Sequence, residues 1–281
     1  MSFLDKIRRC NTVDYSGYVP LLVKGSRVGW IRHDFLDVIK PYADIFVCDG
    51  QLVSLHPDLD TFDARSRAFE TVSRSLVRAG KVKQLLGEIY PASVEHREQA
   101  LFVLDRAVAS CFGTRTYGQH LNGYVRKDGQ LSMWIGRRAQ SRGFYPGKLD
   151  QLVAGGLPHG VSLQENLRKE CFEEAGIEAT LADQARPAGS IGCTYENERG
   201  IKPETIYCYD LELPVDFQPQ CQDGEVDEFL LLPMDEVAAL VRDSDEFKLN
   251  CNLVIIDFLL RHGFLTAAEP DYELLLAGLH Q

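Results

Sequence analysis

Three glutamates, Glu170, Glu173 and Glu174, stand close together in a stretch with helical character. Residues four apart share a helix face, so Glu170 and Glu174 point the same way and Glu173 borders them. Clustered carboxylates repel one another and destabilise a helix unless a cation compensates. Hard divalent cations such as Mg²⁺ or Mn²⁺ take oxygen ligands of this kind. The competing reading is an acidic face turned to water, and the three glutamates by themselves do not decide between the two. Gly155, Gly156 and Gly160 permit a tight loop whose backbone approaches phosphate oxygens without Cβ obstruction. The expected chemistry is metal-assisted work on a small phosphorylated ligand.

The elements that must hold these groups are also legible. Ser162 is a candidate N-cap, Glu165 its capping-box partner, and Gly176 the C-terminal stop. Residues 149–154 read as a strand running into the glycines. Residues 120–126 and 131–137 flank Lys127-Asp128-Gly129, a hairpin turn. Further strands are expected at 190–195, 205–213 and 228–232, and closing helices at 234–241 and 250–261. Upstream, residues 3–9 read as a helix, and 21–23 and 45–48 as strands, with Asp49-Gly50 turning into 51–54. Thr61 or Asp63 caps a helix through about Ala79, ended by Gly80. Residues 94–110 read as another helix, because Ala100, Val103, Leu104, Ala107 and Val108 recur at helical spacing. The texture changes near Gly113, which places a boundary near Thr116, with domains at 1–115 and 116–281. Strands mixed with helices, without regular βαβ alternation, predict an α+β chain with a mixed sheet covered on both faces.

Composition bounds the function. The chain has 281 residues, 45% hydrophobic and 25% charged, enough to bury a sizeable core. Lys+Arg number 30 against Asp+Glu 41, a formal net charge of −11. That balance argues against a general binder of nucleic acid or of anionic membranes. A small phosphorylated ligand needs only local positive charge, which a bound divalent cation supplies. The eight cysteines, Cys10, Cys48, Cys111, Cys171, Cys193, Cys208, Cys221 and Cys251, form no C-x-x-C pair, so buried reduced thiols are expected rather than structural zinc. The opening MSFLDKIRRC lacks an apolar signal core and no stretch approaches a membrane span, so the expected location is cytoplasmic.

The stretch at residues 155–177, GGLPHGVSLQENLRKECFEEAGI, resembles the Nudix signature, G-x5-E-x7-R-E-U-x-E-E-x-G-U with U apolar. Gly155, Glu170, Glu173, Glu174, Gly176 and Ile177 match, and Cys171 fits an apolar slot. Two positions depart: Val161 stands for the first Glu, which organises loop and helix in that family, and Lys169 stands for the Arg. Ser162 and Glu165 are expected to cap the helix instead, and Lys169 keeps the charge without the guanidinium fork. Further runs in fixed order, RVGWIRHDF, HLNGYVR, WIGRR, YPGKLDQLVAGG and KLNCNLVIIDFLLRHGF, resemble the Nudix subfamily related to thiamine pyrophosphokinase-type proteins. The resemblance implies a Nudix fold, an α/β/α sandwich, with a smaller N-terminal α+β domain. It also implies metal-dependent cleavage of thiamine diphosphate or its oxidised analogues to the monophosphate and phosphate. No G-x-x-x-x-G-K-[ST] loop supports ATP-dependent transfer. Two other functions stay open: hydrolysis of another nucleoside or coenzyme diphosphate, and a Nudix-fold module that binds a diphosphate without cleaving it.

Under that resemblance, Glu170 and Glu174 hold Mg²⁺ or Mn²⁺ with Glu173 in support, and a carboxylate from a later loop joins them. Glu225, Asp227 and Glu228 are the candidates, with Glu225 preferred as ligand or base. Arg137 and Arg138 end a strand near the box and are candidate donors to the terminal phosphate, as is Lys148; the alternative for each Arg is a carboxylate partner. Gly155 and Gly156 bring backbone to the substrate. Tyr195, Glu196 and Arg199 are expected to face its organic half. Trp30 and Trp134 read as core, and His120, His159 and His262 as structural or solvated. Asp257 and Arg261 form an i,i+4 pair. The N-terminal domain has two open roles, completing the pocket or forming a homodimer.

Overall fold

The computed structural model describes residues 2–279. Helix α1 (Phe3–Arg9) starts on a reciprocal cap, in which Ser2 Oγ accepts from the Asp5 N–H and the Asp5 carboxylate accepts from the Ser2 N–H. Strands β1 (Tyr18–Val23) and β2 (Ser26–Arg32) form a hairpin, followed by α2 (His33–Ile39), β3 (Phe46–Cys48), β4 (Val53–Leu55) and the long α3 (Phe62–Arg78). The four strands make one sheet in the order β2-β1-β4-β3. Asp49 turns β3 into β4 by accepting from the Gln51 and Leu52 N–H groups, and Thr61 caps α3 through Ala64 N. A ribbon of β5 (Ile89–Ala92) and β6 (Phe102–Asp105) and the short α4 (Arg106–Ala109) complete this half. Its core is aromatic: Phe69 stacks on Phe102 at 4.0 Å and meets Phe112 edge-on at 4.9 Å.

The helix expected at 94–110 is not there. Phe102 and Leu104 turn inward and Val103 only partly, a period of two that pairs β6 with β5. Asp105 then ends the strand: its carboxylate accepts from the Leu86, Gly87 and Ala107 N–H groups, so it fixes a loop and caps α4 at once.

The second half contains β7 (Thr116–Lys127), β8 (Gln130–Arg138), β9 (Leu149–Gln151), β10 (Val153–Gly156), α5 (Leu163–Ala175), α6 (Ala179–Ala182), β11 (Arg186–Asn197), β12 (Gly200–Glu212), β13 (Val226–Pro233), α7 (Met234–Asp243), α8 (Cys251–Arg261) and α9 (Tyr272–Leu279). The sheet order is β11-β12-β7-β8-β13. The β12–β7 pair is parallel and the other pairs antiparallel, which makes the sheet mixed. The single strand expected at 149–154 is broken at Leu152: β9 pairs with β8, then β10 crosses to pair with β7.

Helices cover both faces, as expected. Leu167, Cys171 and Ala175 of α5 pack with Leu121 and Val153 on one side. Val254 and Phe258 of α8 pack with Met133, Ile135 and Ile206 on the other. Helix α1 joins this second core: Phe3, Leu4 and Ile7 bury among α7, α8 and α9. Among the described residues no helix is long and apolar enough to cross a membrane.

Candidate active site

Helix α5 begins where Ser162 Oγ accepts from the Glu165 N–H at 3.2 Å, and it ends at Gly176, whose φ of 65° is the left-handed cap that glycine tolerates. Between these ends the three glutamates occupy different environments. Glu174 is buried, and its Oε2 accepts from the Ala154 N–H at 2.7 Å, which fixes it against β10. Burial pushes its carboxyl up to about 8; the Ala154 bond opposes that rise, and Glu170 adds to it. Glu170 lies directly beside Gly155. A Cβ built on Gly155 would fall 2.2 Å from Glu170 Cδ. Burial raises the Glu170 carboxyl as well, against the pull of Lys169. Glu173 is more open and pairs with Lys169 Nζ at 2.7 Å, while the same ammonium reaches Glu170 Oε1 at 3.2 Å. Burial works against the charge on Lys169, but Glu173 and Glu170 hold its pKa above the ordinary lysine range.

Glu225 is the fourth carboxylate at this place. It stands close enough to raise both Glu170 and Glu174, and Arg142 pairs with it. Its neighbours are tied elsewhere: Asp227 accepts from the Gln140 N–H at 3.1 Å, and Glu228 binds Arg137 at 3.0 Å. The expected cations are mostly engaged by the protein. Arg137 also donates to the Gly147 carbonyl at 3.1 Å, and Arg138 pairs with buried Asp150 at 2.8 Å and with the Phe144 carbonyl. Lys148 donates to the Asp245 carbonyl at 2.6 Å. The carboxylate-paired alternative describes both arginines here. Tyr195 is buried and accepts from Lys202 Nζ at 3.2 Å, and Arg199 donates to the Ala107 carbonyl and lies over the Phe144 ring.

The loop from β10 into α5 is clamped from both halves of the chain. Asn166 Nδ2 donates to the Gly156 carbonyl at 2.9 Å and to Gln119 Oε1, and Gln119 Nε2 donates to the Leu163 carbonyl. The His159 N–H donates to the Ile89 carbonyl of β5 at 2.7 Å. Buried Arg97 donates through Nη2 to the Pro158 carbonyl at 2.7 Å and the Val161 carbonyl at 3.0 Å. So at Val161, where the box pattern has a glutamate, the backbone is held by an arginine from the other half. Arg97→Met should lower kcat about 10- to 100-fold through loop misplacement and leave KM nearly unchanged. Steady-state kinetics beside a thermal melt checks it; a lowered Tm with normal kcat would show that the clamp only stabilises.

His120, Asp150 and Cys251 place ligand atoms within 4.8 Å of one another. Their contacts describe a closed polar network. Cys251 Sγ donates to Asp150 Oδ1 at 2.7 Å, Lys248 Nζ lies 3.0 Å from Asp150 Oδ2, and His120 Nδ1 meets Gln151 Oε1 at 2.7 Å. Burial opposes charge on Asp150, but Lys248 and Arg138 keep it ionised. With two cations already on its carboxylate, this network is a poor place for a third. His120 matches its structural expectation. Burial pushes its imidazole down from 6.5 to about 4, with Lys248 adding repulsion. A depressed folded pKa means that its stabilisation is complete above the unfolded value and fades as pH falls. Denaturant melts should lose up to about 3 kcal/mol between pH 6.5 and 4, and His120→Gln should flatten that slope.

Trp134 sits in the core under α5, as expected, and Trp30 is half-buried against Tyr15 at 4.7 Å. His262 stacks on Phe258 at 3.9 Å, His159 is exposed near Phe62, and Asp257 pairs with Arg261 at 2.7 Å. Arg97 and Gln119 carry no mark in the sequence. Their only signature is position, far upstream of the box, and no local pattern marks an arginine that will bind carbonyls.

The NUDIX domain family model matches residues 123–251, and a domain of unknown function, DUF4743, matches residues 2–116. Nudix hydrolase 24, chloroplastic, of Arabidopsis thaliana is 43% identical over 274 residues, covering 96% of this chain and 75% of its own length. Nudix hydrolase 20, chloroplastic, of the same plant is 41% identical over 281 residues, with the same coverage of 96% and 75%. An uncharacterized protein of Saccharomyces cerevisiae is 32% identical over 280 residues, covering 92% of this chain and 81% of its own. With a matching domain, this degree of identity along nearly the whole chain, and the glutamate helix set against its glycine loop, the chain belongs to the Nudix hydrolase family.

Proposed function

We propose that the protein hydrolyses an organic diphosphate between its two phosphorus atoms, with thiamine diphosphate or an oxidised analogue as substrate. The observation that carries the reaction is the packing of Gly155 on Glu170 beside the buried, backbone-anchored Glu174. The donor set fits a hard divalent cation, Mg²⁺ or Mn²⁺. It consists of carboxylate oxygens, and two of the groups are pushed toward protonation by burial, so a bare anionic cluster here is unfavourable. Glu170 and Glu174 would hold the cation, with Glu173 at the border. When bound, it supplies positive charge against the diphosphate and acidifies water.

The residues account for the remaining steps. The clamped loop presents backbone at Gly155 and Gly156 to the phosphates. Glu225, which acts electrostatically on both Glu170 and Glu174, takes the proton of the attacking water. The water oxygen bonds to the terminal phosphorus, the bond from that phosphorus to the bridging oxygen breaks, and the organic monophosphate leaves with that oxygen. With a cation on Glu170, Lys169 would give up its contact there and keep its pair with Glu173. The thiamine assignment is supported by the runs WIGRR, YPGKLDQLVAGG and KLNCNLVIIDFLLRHGF.

The test is turnover. Purified protein with Mg²⁺ or Mn²⁺ is given thiamine diphosphate, its oxidised analogues and a nucleoside diphosphate panel, and phosphate and monophosphate are measured. Metal-dependent release from the thiamine compounds supports the whole reading. Release from nucleotides alone keeps the chemistry and discards the substrate. Binding without release across the panel favours a diphosphate sensor.

A further inference from the structure

The side of Gly156 away from α5 is filled by the N-terminal half of the chain. A Cβ on Gly156 would fall 2.1 Å from the Tyr90 hydroxyl, 3.0 Å from Arg106 Nη1 and 3.2 Å from Glu88 Oε2. Gly155 faces Glu170 in the same way, so two consecutive glycines bring a catalytic carboxylate and a guanidinium to one short stretch of β10. Arg106 pairs with Glu88 at 2.8 Å and hydrogen-bonds Tyr90. A guanidinium carries five N–H donors, so these partners do not exhaust it. Its side chain keeps 32% exposure, and burial, which works against its charge, is outweighed by Tyr90, Glu88 and also Glu225. Glu225 in turn acts on Glu170 and Glu174. Glu225 is thus felt both by the guanidinium and by the box glutamates, while Gly155 and Gly156 bring Glu170 and Arg106 against adjacent residues of one strand.

Arg137, Arg138, Lys148 and Arg142 are committed to Glu228, Asp150, the Asp245 carbonyl and Glu225. A diphosphate keeps negative charge after a single divalent cation has met the box glutamates, and a planar fork is the side chain suited to it. We propose that Arg106 is a substrate-binding residue: it donates to the diphosphate across the domain boundary, so the two halves of the chain share one active site. Glu88 holds the fork in place in the absence of ligand and competes with the phosphate for it. This inference rests on the diphosphate reading of the site, and its test does not require turnover.

The probe is imidodiphosphate, a non-hydrolysable diphosphate, titrated with Mg²⁺ into the full chain by calorimetry. Arg106→Met should weaken binding at least tenfold, Arg106→Lys should recover only part of it, and Glu88→Gln should tighten it. Thermal melts run alongside. If Arg106→Met melts early, the Arg106→Lys and Glu88→Gln values decide, since neither creates a cavity of that size. Unchanged affinity in Arg106→Met, or weaker binding in Glu88→Gln, overturns the proposal. Loss of turnover in wild type with the expected order of affinities would discard hydrolysis and keep Arg106 as the diphosphate anchor.

Discussion

Gly155→Ala is expected to abolish most of the diphosphohydrolase activity while leaving the protein folded. The added methyl would fall 2.2 Å from Glu170 Cδ and 2.4 Å from Glu170 Oε2. Real atoms do not approach so closely, so something moves, and the softest thing in contact is the glutamate side chain. Burial changes little, because the carboxylate swings rather than the strand. Displacement of a ligand oxygen by an ångström or more costs about 100-fold in rate by loss of orientation. The measurement is kcat with Mg²⁺ beside a thermal melt. A fall of that size with a Tm within a few degrees supports Glu170 as a ligand. Full activity would mean that the Glu170 carboxylate takes no part.

Glu174→Gln should have opposite effects on activity and on metal-free stability. The carboxyl is buried and its pKa is pushed up to about 8, so at neutral pH the metal-free fold favours the uncharged form. Glutamine is uncharged and keeps an oxygen for the Ala154 N–H bond. The metal-free variant is therefore expected to melt at or above the wild-type temperature. Metal-dependent hydrolysis should fall by about three orders of magnitude, as charge stabilisation is the main catalytic resource in phosphoryl transfer. The melt with and without Mg²⁺ separates the two effects. A ligand that binds only the folded state stabilises it, so wild type should gain stability on adding Mg²⁺ and the variant should gain little. A variant that melts far below wild type without metal would show that the carboxylate is structural.

The glutamate helix was readable because its signals are local. Ser162, Gly176 and the i,i+4 pair Glu170 and Glu174 all fall within one helix and its caps, and the structure keeps them as read. The mixed sheet between helices was readable from strand and turn chemistry, notably at Lys127-Asp128-Gly129, where Asp128 and Gly129 both adopt positive φ. The misreading at 94–110 has a physical cause: Val103, Leu104 and Ala107 suit either period, and only pairing with β5 decides between them. Charge was legible but its destination was not. Arg137, Arg138 and Lys148 lie near the box in sequence, yet each finds a protein acceptor first. Conversely Arg97 reaches the box loop from 61 and 64 residues away, which no local pattern records. The runs that carry the subfamily resemblance turn out to meet in space. Arg138 from one run and Lys248 with Cys251 from the last converge on the buried carboxylate of Asp150, which belongs to the run between them. That convergence gives those runs a packing reason to occur together, independent of substrate.

Helix α1 also bears on the order in which this chain is assembled during synthesis. Phe3, Leu4 and Ile7 are made well before their neighbours in the core, which lie on α7, α8 and α9. Lys6 pairs with Asp245, and Gly278 lacks a side chain where Ile7 comes close. The residues of α1 therefore leave the ribosome ahead of their partners in this core and wait until α7, α8 and α9 have emerged. Phe69, Phe102 and Phe112 instead belong to a separate core cluster that ends at Phe112. Helix α1 joins a core whose other members come much later in the chain, a long-range closure of the slow kind. A growing chain halted before α7 should thus be a chaperone client at helix α1, while the cluster around Phe69, Phe102 and Phe112 is already protected from proteases.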